Sequence, residues 1–403
     1  MSLTFRLSAL NFLQNIAFAC GQITIGTYML QQLDFTGREI GLVYATTAIA
    51  ATITPPLMGW LADYRFRVEQ LLLFLNLLAA AALAACFYAT EFWLFYVLML
   101  GYNLCFMPTF SLVTSLCFHQ LENPARQYPP VRVWGTVSFM MVGLGLSYFV
   151  LEDTAYPLMI AGAACVITAA LCLTIPATPP QAGFKLSMLK GPEVKRLFAE
   201  PGMIVLLLGM LAYCIPSAFY YSFVNPFLNE VGWSAAAAKM SLGQLVEIGV
   251  VLLMPLVFRK LRFRRIFFWG LLVWGLRYLA FGIGRPGGTE WLLYFGIMVQ
   301  GVAFAWVVIA AQIYIDNRVP IFLRSTAQGL ISFASQGFGL LIGSLIAGEV
   351  VLAHTTPTGG HDWWSIWLVP GVFGTAAALA FWAFFPKRGG INRSTNNIEV
   401  GKL

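Results

Sequence analysis

The apolar residues of this chain are gathered into runs of about 20, one after another along nearly its whole length. A helix of that length crosses the hydrocarbon core of a bilayer, and a soluble domain has no use for a dozen of them. Only 10% of the 403 residues are charged, against roughly 25% in a water-soluble domain. Such a chain cannot cover itself with polar surface. Inside lipid each backbone polar group must find its partner within the protein, which leaves helices as the simple solution for separate runs. The expected class is therefore an all-α polytopic membrane protein.

Hydropathy places spans near 4–29, 38–61, 69–89, 92–117, 130–151 and 155–175. A polar stretch from Pro176 to Glu200 follows, with the string PATPP and the basic residues Lys185, Lys190, Lys195 and Arg196. Six more spans are expected near 201–229, 234–258, 264–284, 289–316, 323–351 and 362–385. This predicts a six-helix bundle over 1–175, a cytoplasmic linker over 176–200, a second bundle over 201–386 and a cytoplasmic tail over 387–403. The first run reads as a retained span and not a removable signal peptide, since it lacks an obvious small-residue cleavage site.

With both termini and the linker on the cytoplasmic side, 19 of the 24 Lys and Arg residues fall there. Only Arg38, Lys239 and Arg285 lie outside. The positive-inside rule selects this orientation. It also accounts for the net charge of +7, so nucleic acid is not an expected partner. All seven cysteines fall inside apolar runs with no CxxC spacing, which supports neither a disulfide framework nor a metal site. They read as small apolar fillers.

A charged side chain near the bilayer centre is costly, and it persists where it meets water or a partner. Glu247 is the acidic residue that sits mid-span, with Gln244 three residues earlier on the same helical face. One reading is a cavity-facing pair that binds solute and, through Glu247, a proton; the other is a structural carboxylate bonded to a neighbouring helix. Arg132 opens the stripe Arg132, Thr136, Phe139 and Gly143, spaced i, i+4, i+7 and i+11 along one face of the fifth span. A cation, a hydroxyl and a ring on one face suit a polar solute with a flat part, although an Arg at a helix start also snorkels towards water. Arg132 belongs to the first half and Glu247 to the second, so they can face each other across one cavity. A carboxylate removed from bulk water is easier to protonate, as a proton carrier requires.

Arg277 lies towards the outer end of its span with no evident cavity face, and a structural or interfacial role is expected. Asp316 and Glu349 sit near span ends, within reach of an interface. In GWLADYRFR, Asp63, Arg65 and Arg67 form a tight loop between the second and third spans. It reads either as a gate latch against a helix N-terminus or as stop-transfer charge. Gly339, Gly343, Ser344 and Gly348 give the eleventh span small-xxx-small spacing, a signal for close helix packing.

The GWLADYRFR loop resembles the Gly-x-Leu-Ala-Asp-x-x-x-Arg signature of the major facilitator superfamily, with Phe66 where that pattern commonly has Gly. Along nearly the whole chain, YPPVRVWGTVSF, MPTFSLV, IGLVYATTAIAA and LRSTAQGL resemble the nucleoside:proton symporter family in the same order. The resemblance implies a major facilitator fold with twelve transmembrane helices in two pseudo-symmetric bundles, alternating access, and proton-driven nucleoside uptake at a bacterial inner membrane. It further implies substrate contacts at Arg132, Thr136 and Phe139, at Gln244 and Glu247, and at Phe304. Ala218 and Tyr221 stand where the family offers amide side chains, and Gln300 and Ala305 replace a Tyr and an acid. Tyr221 and Gln300 thus join the expected substrate site.

The alternative is a proton symporter for another polar solute, such as a sugar or a glycosylated metabolite. No glycine-rich phosphate loop, metal cluster or nucleophile–base arrangement appears at credible spacing. The expectation is a transporter and not an enzyme, monomeric, with no cofactor, driven by H+.

Overall fold

The computed structural model describes residues 2–178, 202–319, 321–357 and 359–386. The first half holds α1 (Leu3–Gln22), α2 (Ile25–Gln31), α3 (Gly37–Tyr64), α4 (Val68–Tyr88), α5 (Phe92–Gln120), α6 (Pro124–Tyr148) and α7 (Tyr156–Cys172). The second holds α8 (Met203–Glu230), α9 (Ala236–Met240), α10 (Leu242–Lys260), α11 (Phe263–Ile283), α12 (Glu290–Phe304), α13 (Ala310–Arg318), α14 (Ile321–Ser332), α15 (Leu340–Ala353) and α16 (Trp363–Phe384). Wide π-turns, Ala305–Ile309 and Phe333–Gly339, join α12 to α13 and α14 to α15. Among the described residues the β structure is one isolated bridge, Thr355 to His361. Most of the expected linker, from residue 179, and the tail from 387 lie outside the described residues.

Local signals start several helices where the sequence changes from polar to apolar. Thr36 caps α3 through a reciprocal capping box with Glu39, whose carboxylate accepts from the Thr36 N–H at 2.8 Å. Glu91 caps α5 by accepting from the Trp93 and Leu94 N–H groups. Nine segments among the described residues are long and apolar enough to cross a membrane, and Tyr156–Cys172 is a shorter apolar helix. The first span and α6 are less apolar because they carry Asn11, Gln14 and Asn15, and Arg126, Gln127 and Arg132. In α1 those side chains bond inward, with Gln14 donating to Thr109 Oγ1 at 2.9 Å and Asn11 to the Leu7 carbonyl at 3.0 Å.

Large apolar side chains such as Phe74, Leu208, Leu252 and Val372 point outward. On a soluble surface that patchwork would drive aggregation; against acyl chains it costs nothing. All seven cysteines are free thiols, six buried and Cys105 partly so, in keeping with a filler role.

The first span is broken where one continuous helix over 4–29 was expected, between α1 and α2 at Ile23 and Thr24. The break lets α2 lie against α8. A Cβ on Gly26 would come within 2.5 Å of the Ser222 carbonyl, and Thr27 Oγ1 donates to Asn225 Oδ1 at 2.5 Å. Glycines set the other close approach between the halves. A Cβ on Gly41 would lie 2.5 Å from the Ser344 carbonyl, and one on Gly348 would lie 2.7 Å from the Gly37 carbonyl. Gly339 and Gly343 meet α8 in the same way, at Cys214 Cβ (2.7 Å) and the Ile215 carbonyl (2.6 Å). The small-residue spacing of the eleventh span is therefore realised as packing.

Candidate functional site

The stripe on α6 meets the second half at Gly143. A Cβ on Gly143 would stand 2.3 Å from Ser241 Oγ and 2.8 Å from the Ala237 carbonyl, so α6 touches the α9–α10 junction backbone to backbone there. From that crossing the stripe runs back through Phe139 and Thr136, both partly exposed, to the exposed Arg132. At 1.5 Å per residue this spans about 16 Å. Glu247 lies about 9 Å along α10 from Ser241 on the same measure. Glu247 is half-buried, and Arg132 is the cation whose charge reaches it through space. Among the described residues neither forms an ion pair or a hydrogen bond. An anion and a cation from opposite halves thus share a field while their hydrogen-bonding atoms stay free, as a site kept for a solute requires.

Gln244 sits one turn before Glu247. Oriented so that its NH2 meets acceptors, its amide donates to the carbonyls of Met240 (2.9 Å) and Ser241 (3.2 Å). Its oxygen remains available. α12 presses on α10 at Glu247 itself, since a Cβ on Gly301 would fall 2.2 Å from the Glu247 nitrogen and 2.6 Å from its Cα. One residue earlier, Gln300 is buried and accepts from Arg277 Nη1 at 2.5 Å. Phe304, one turn later, ends α12 and is only partly buried. The π-turn that follows is a widened turn of a kind often found at functional sites. Tyr221 on α8 is mid-helix yet 38% exposed, and feels the charges of Glu247 and Arg277. With Ser222 it lines a pocket whose other wall includes Gln22, Tyr44 and Thr47 of the first half.

The Gly301 contact gives a steric prediction. Gly301→Val is expected to cut transport more than tenfold, because α10 must move where it carries Glu247; overpacking of this kind typically costs about 1–3 kcal/mol. Gly249→Val is the control, since an added Cβ there meets nothing within 4 Å. Uptake assays on both variants, with chromatographic homogeneity checked, decide it: equal losses would remove the steric argument.

A second constellation closes one end of the molecule. Glu152, in the connection from α6 to α7, is buried at 7% exposure. Its carboxylate accepts from Ser147 Oγ (2.5 Å), Asn225 Nδ2 (3.0 Å), Asn229 Nδ2 (3.1 Å) and the Ala237 N–H (3.1 Å). Three of those four donors belong to the other half. Ser147 Oγ in turn accepts from the Ala238 N–H at 2.8 Å. Separately, Arg38 and Glu349 form an exposed two-bond ion pair across the halves, at 2.5 and 2.8 Å. Glu349 thus reaches an interface, as its place near a span end suggested. Asp316 accepts from Gln328 within the second half, at 3.2 Å.

A family model described as "Nucleoside H+ symporter" matches residues 1–389. The chain belongs to that family. The nucleoside H+ symporter relatives include the putative nucleoside transporter YegT of Escherichia coli (strain K12), 30% identical over 96% of this chain and 94% of the relative. The xanthosine permease of the same organism is 30% identical, covering 96% of each chain. A crystal structure of the nucleoside transporter NupG superposes with a TM-score of 0.89 at 26% identity, covering 95% of this chain and 99% of the other. A D-xylose–proton symporter structure shares the fold, with a TM-score of 0.71 at 15% identity. This nucleoside H+ symporter chain is accordingly an all-helical, multi-pass transporter of the major facilitator type, and not an enzyme.

Of the residues picked from the sequence, Arg132, Thr136 and Phe139 share the face of α6 that meets the α9–α10 junction at Gly143, Gln244 and Glu247 follow that junction on α10, and Gln300 and Phe304 lie on α12, which packs against α10 at Glu247. Arg65 and Arg67 are exposed beyond the end of α3. The side chain of Asp63 lies outside the described residues, so the proposed latch there rests on its sequence alone. Glu152 was missed, because an acid in a short connection looks like ordinary interfacial charge. Its signal would have been Asn225 and Asn229, two amides one turn apart on an otherwise apolar helix.

Proposed function

We propose that this chain is a proton-coupled nucleoside importer of a bacterial inner membrane, monomeric, with both termini cytoplasmic. Bundles over 1–175 and 201–386 would expose one central site alternately to each side. The observation that carries the reading is the half-buried Glu247, unpaired among the described residues and within electrostatic reach of Arg132 from the opposite half. A carboxylate so placed can exchange a proton with water and feel solute replace the cation's field. Family membership over residues 1–389 supplies the substrate class. Phe139 and Phe304 offer rings for a base, Gln244 and Glu247 acceptors for ribose hydroxyls, and Arg132 a cation for base or ribose oxygens. Asp63, Arg65 and Arg67 would close the cytoplasmic side.

Purified protein in liposomes with an inward proton gradient tests this. Labelled uridine and adenosine are expected to accumulate, with simultaneous alkalinisation outside read by a pH dye. Competition by a panel of nucleosides and sugars separates the alternatives. Uptake inhibited by sugars and not by nucleosides would replace the substrate class, and accumulation driven only by Na+ would replace the coupling ion.

A further inference from the structure

Arg277 is fully buried on α11, and among the described residues no carboxylate pairs with it. Rings hold it instead. Its guanidinium carbon lies 4.0 Å from the Tyr220 ring centroid and 4.4 Å from that of Trp274, with Phe281 at 5.3 Å and Tyr278 at 5.5 Å. Such faces stabilise a cation out of water. Its hydrogen bond to a described side chain runs from Nη1 to Gln300 Oε1, at 2.5 Å. A guanidinium only donates, so the Gln300 atom facing it must be the amide oxygen. The NH2 group of Gln300 is thereby turned away from Arg277. Among the described residues that NH2 makes no hydrogen bond, and although Gln300 is buried as a whole its NH2 is not fully enclosed.

That donor belongs to a side chain packed against α10, which carries Glu247. The stem of Gln300 rests on Gly243, whose added Cβ would be 3.3 Å from Gln300 Cβ, one turn before Glu247. Phe304 follows one turn later on the same face of α12. Glu247 can accept from hydroxyls, and a hydroxyl, which both donates and accepts, would not distinguish one nucleoside from another at Gln300. A base edge does. A carbonyl oxygen satisfies an NH2 donor, whereas an exocyclic amino group opposes it donor to donor.

We propose that Arg277 is a positioning residue that locks Gln300 as a donor, so that the site selects nucleosides presenting a carbonyl oxygen to α12 over those presenting an amino group. This rests on the nucleoside reading above and narrows it to oxo-bases. An unsupported free amide would rotate and accept either edge.

The test measures initial uptake of two matched pairs, inosine with adenosine and uridine with cytidine, in proteoliposomes. The wild type is expected to favour the oxo member of each pair by about tenfold or more in transport efficiency, the size of discrimination a buried polar group left unpaired can impose. Gln300→Glu keeps an acceptor for Arg277 but removes the donor, and its ratio is expected to fall to about one or invert. Arg277→Met frees the amide and is expected to lose the ratio while still transporting both members. A wild type that moves both members equally overturns the assignment and leaves nucleoside import standing. So does a ratio unchanged in Gln300→Glu, which decides the matter even if Arg277→Met does not fold. A wild type that transports no nucleoside overturns both readings.

Discussion

Glu247→Gln is expected to abolish uphill accumulation of nucleoside while sparing exchange of labelled for unlabelled solute across the membrane. A one-unit pH gradient is worth about 1.4 kcal/mol and sustains about tenfold accumulation when one proton accompanies each solute. The variant is expected to settle at a ratio of about one. Gln keeps the shape and an acceptor oxygen, so solute still binds, but it carries no proton at any ordinary pH. It also removes the negative partner from the field of Arg132, which reaches Glu247 from the other half. Pairing the two measurements separates coupling from folding: a misfolded protein loses exchange as well. Accumulation at the wild-type level in Glu247→Gln would show that the proton travels elsewhere and would remove the central carboxylate from the mechanism.

How far such a site can be read from sequence depends on whether each residue's signal is local. Glu247 stood out because hydrocarbon makes a mid-span acid conspicuous, and the α6 stripe because a helix repeats every 3.6 residues. The partners of these residues were invisible, since which helices cross, and where, is decided by glycines such as Gly143 and Gly301 meeting backbone from distant parts of the chain. Arg277 shows the limit most clearly. Its position suggested a structural or interfacial residue, and it is in fact enclosed by rings from α8 and α11 and tied to Gln300 on α12. No spacing rule announces a cage assembled from three helices. The break at Ile23–Thr24 and the two π-turns escaped for the same reason: they answer to tertiary contacts, and glycines such as Gly21, Gly337 and Gly339 do not announce a break in a membrane helix, where glycine is tolerated.

Removal of the Glu152 carboxylate is expected to open the end of the molecule that it now fastens. In Glu152→Ala, the buried Asn225 amide and Ala237 N–H lose their oxygen acceptor, and the part-buried Asn229 amide keeps only its bonds to Asn225. Hydrogen bonds to a charged acceptor contribute about 1.5–3 kcal/mol each and are not additive when shared. A net cost of about 3 kcal/mol to the closed arrangement would shift its population by a factor on the order of 100. In the open arrangement the same donors can meet water, so the penalty falls on one state of the transport cycle and not on the fold. The Arg38–Glu349 pair makes the contrast, because both partners are exposed and water screens them. Spin labels at Tyr156→Cys and Trp291→Cys, two exposed positions on opposite halves, report the separation by pulsed electron resonance. Glu152→Ala is expected to lengthen and broaden the distance distribution, and Glu349→Ala to leave it nearly as it was. If Glu152→Ala instead keeps the wild-type distribution, the halves are held by glycine packing between α3 and α15 and the carboxylate is incidental. If Glu349→Ala opens the end as widely, the exposed pair and not the buried carboxylate carries the closure.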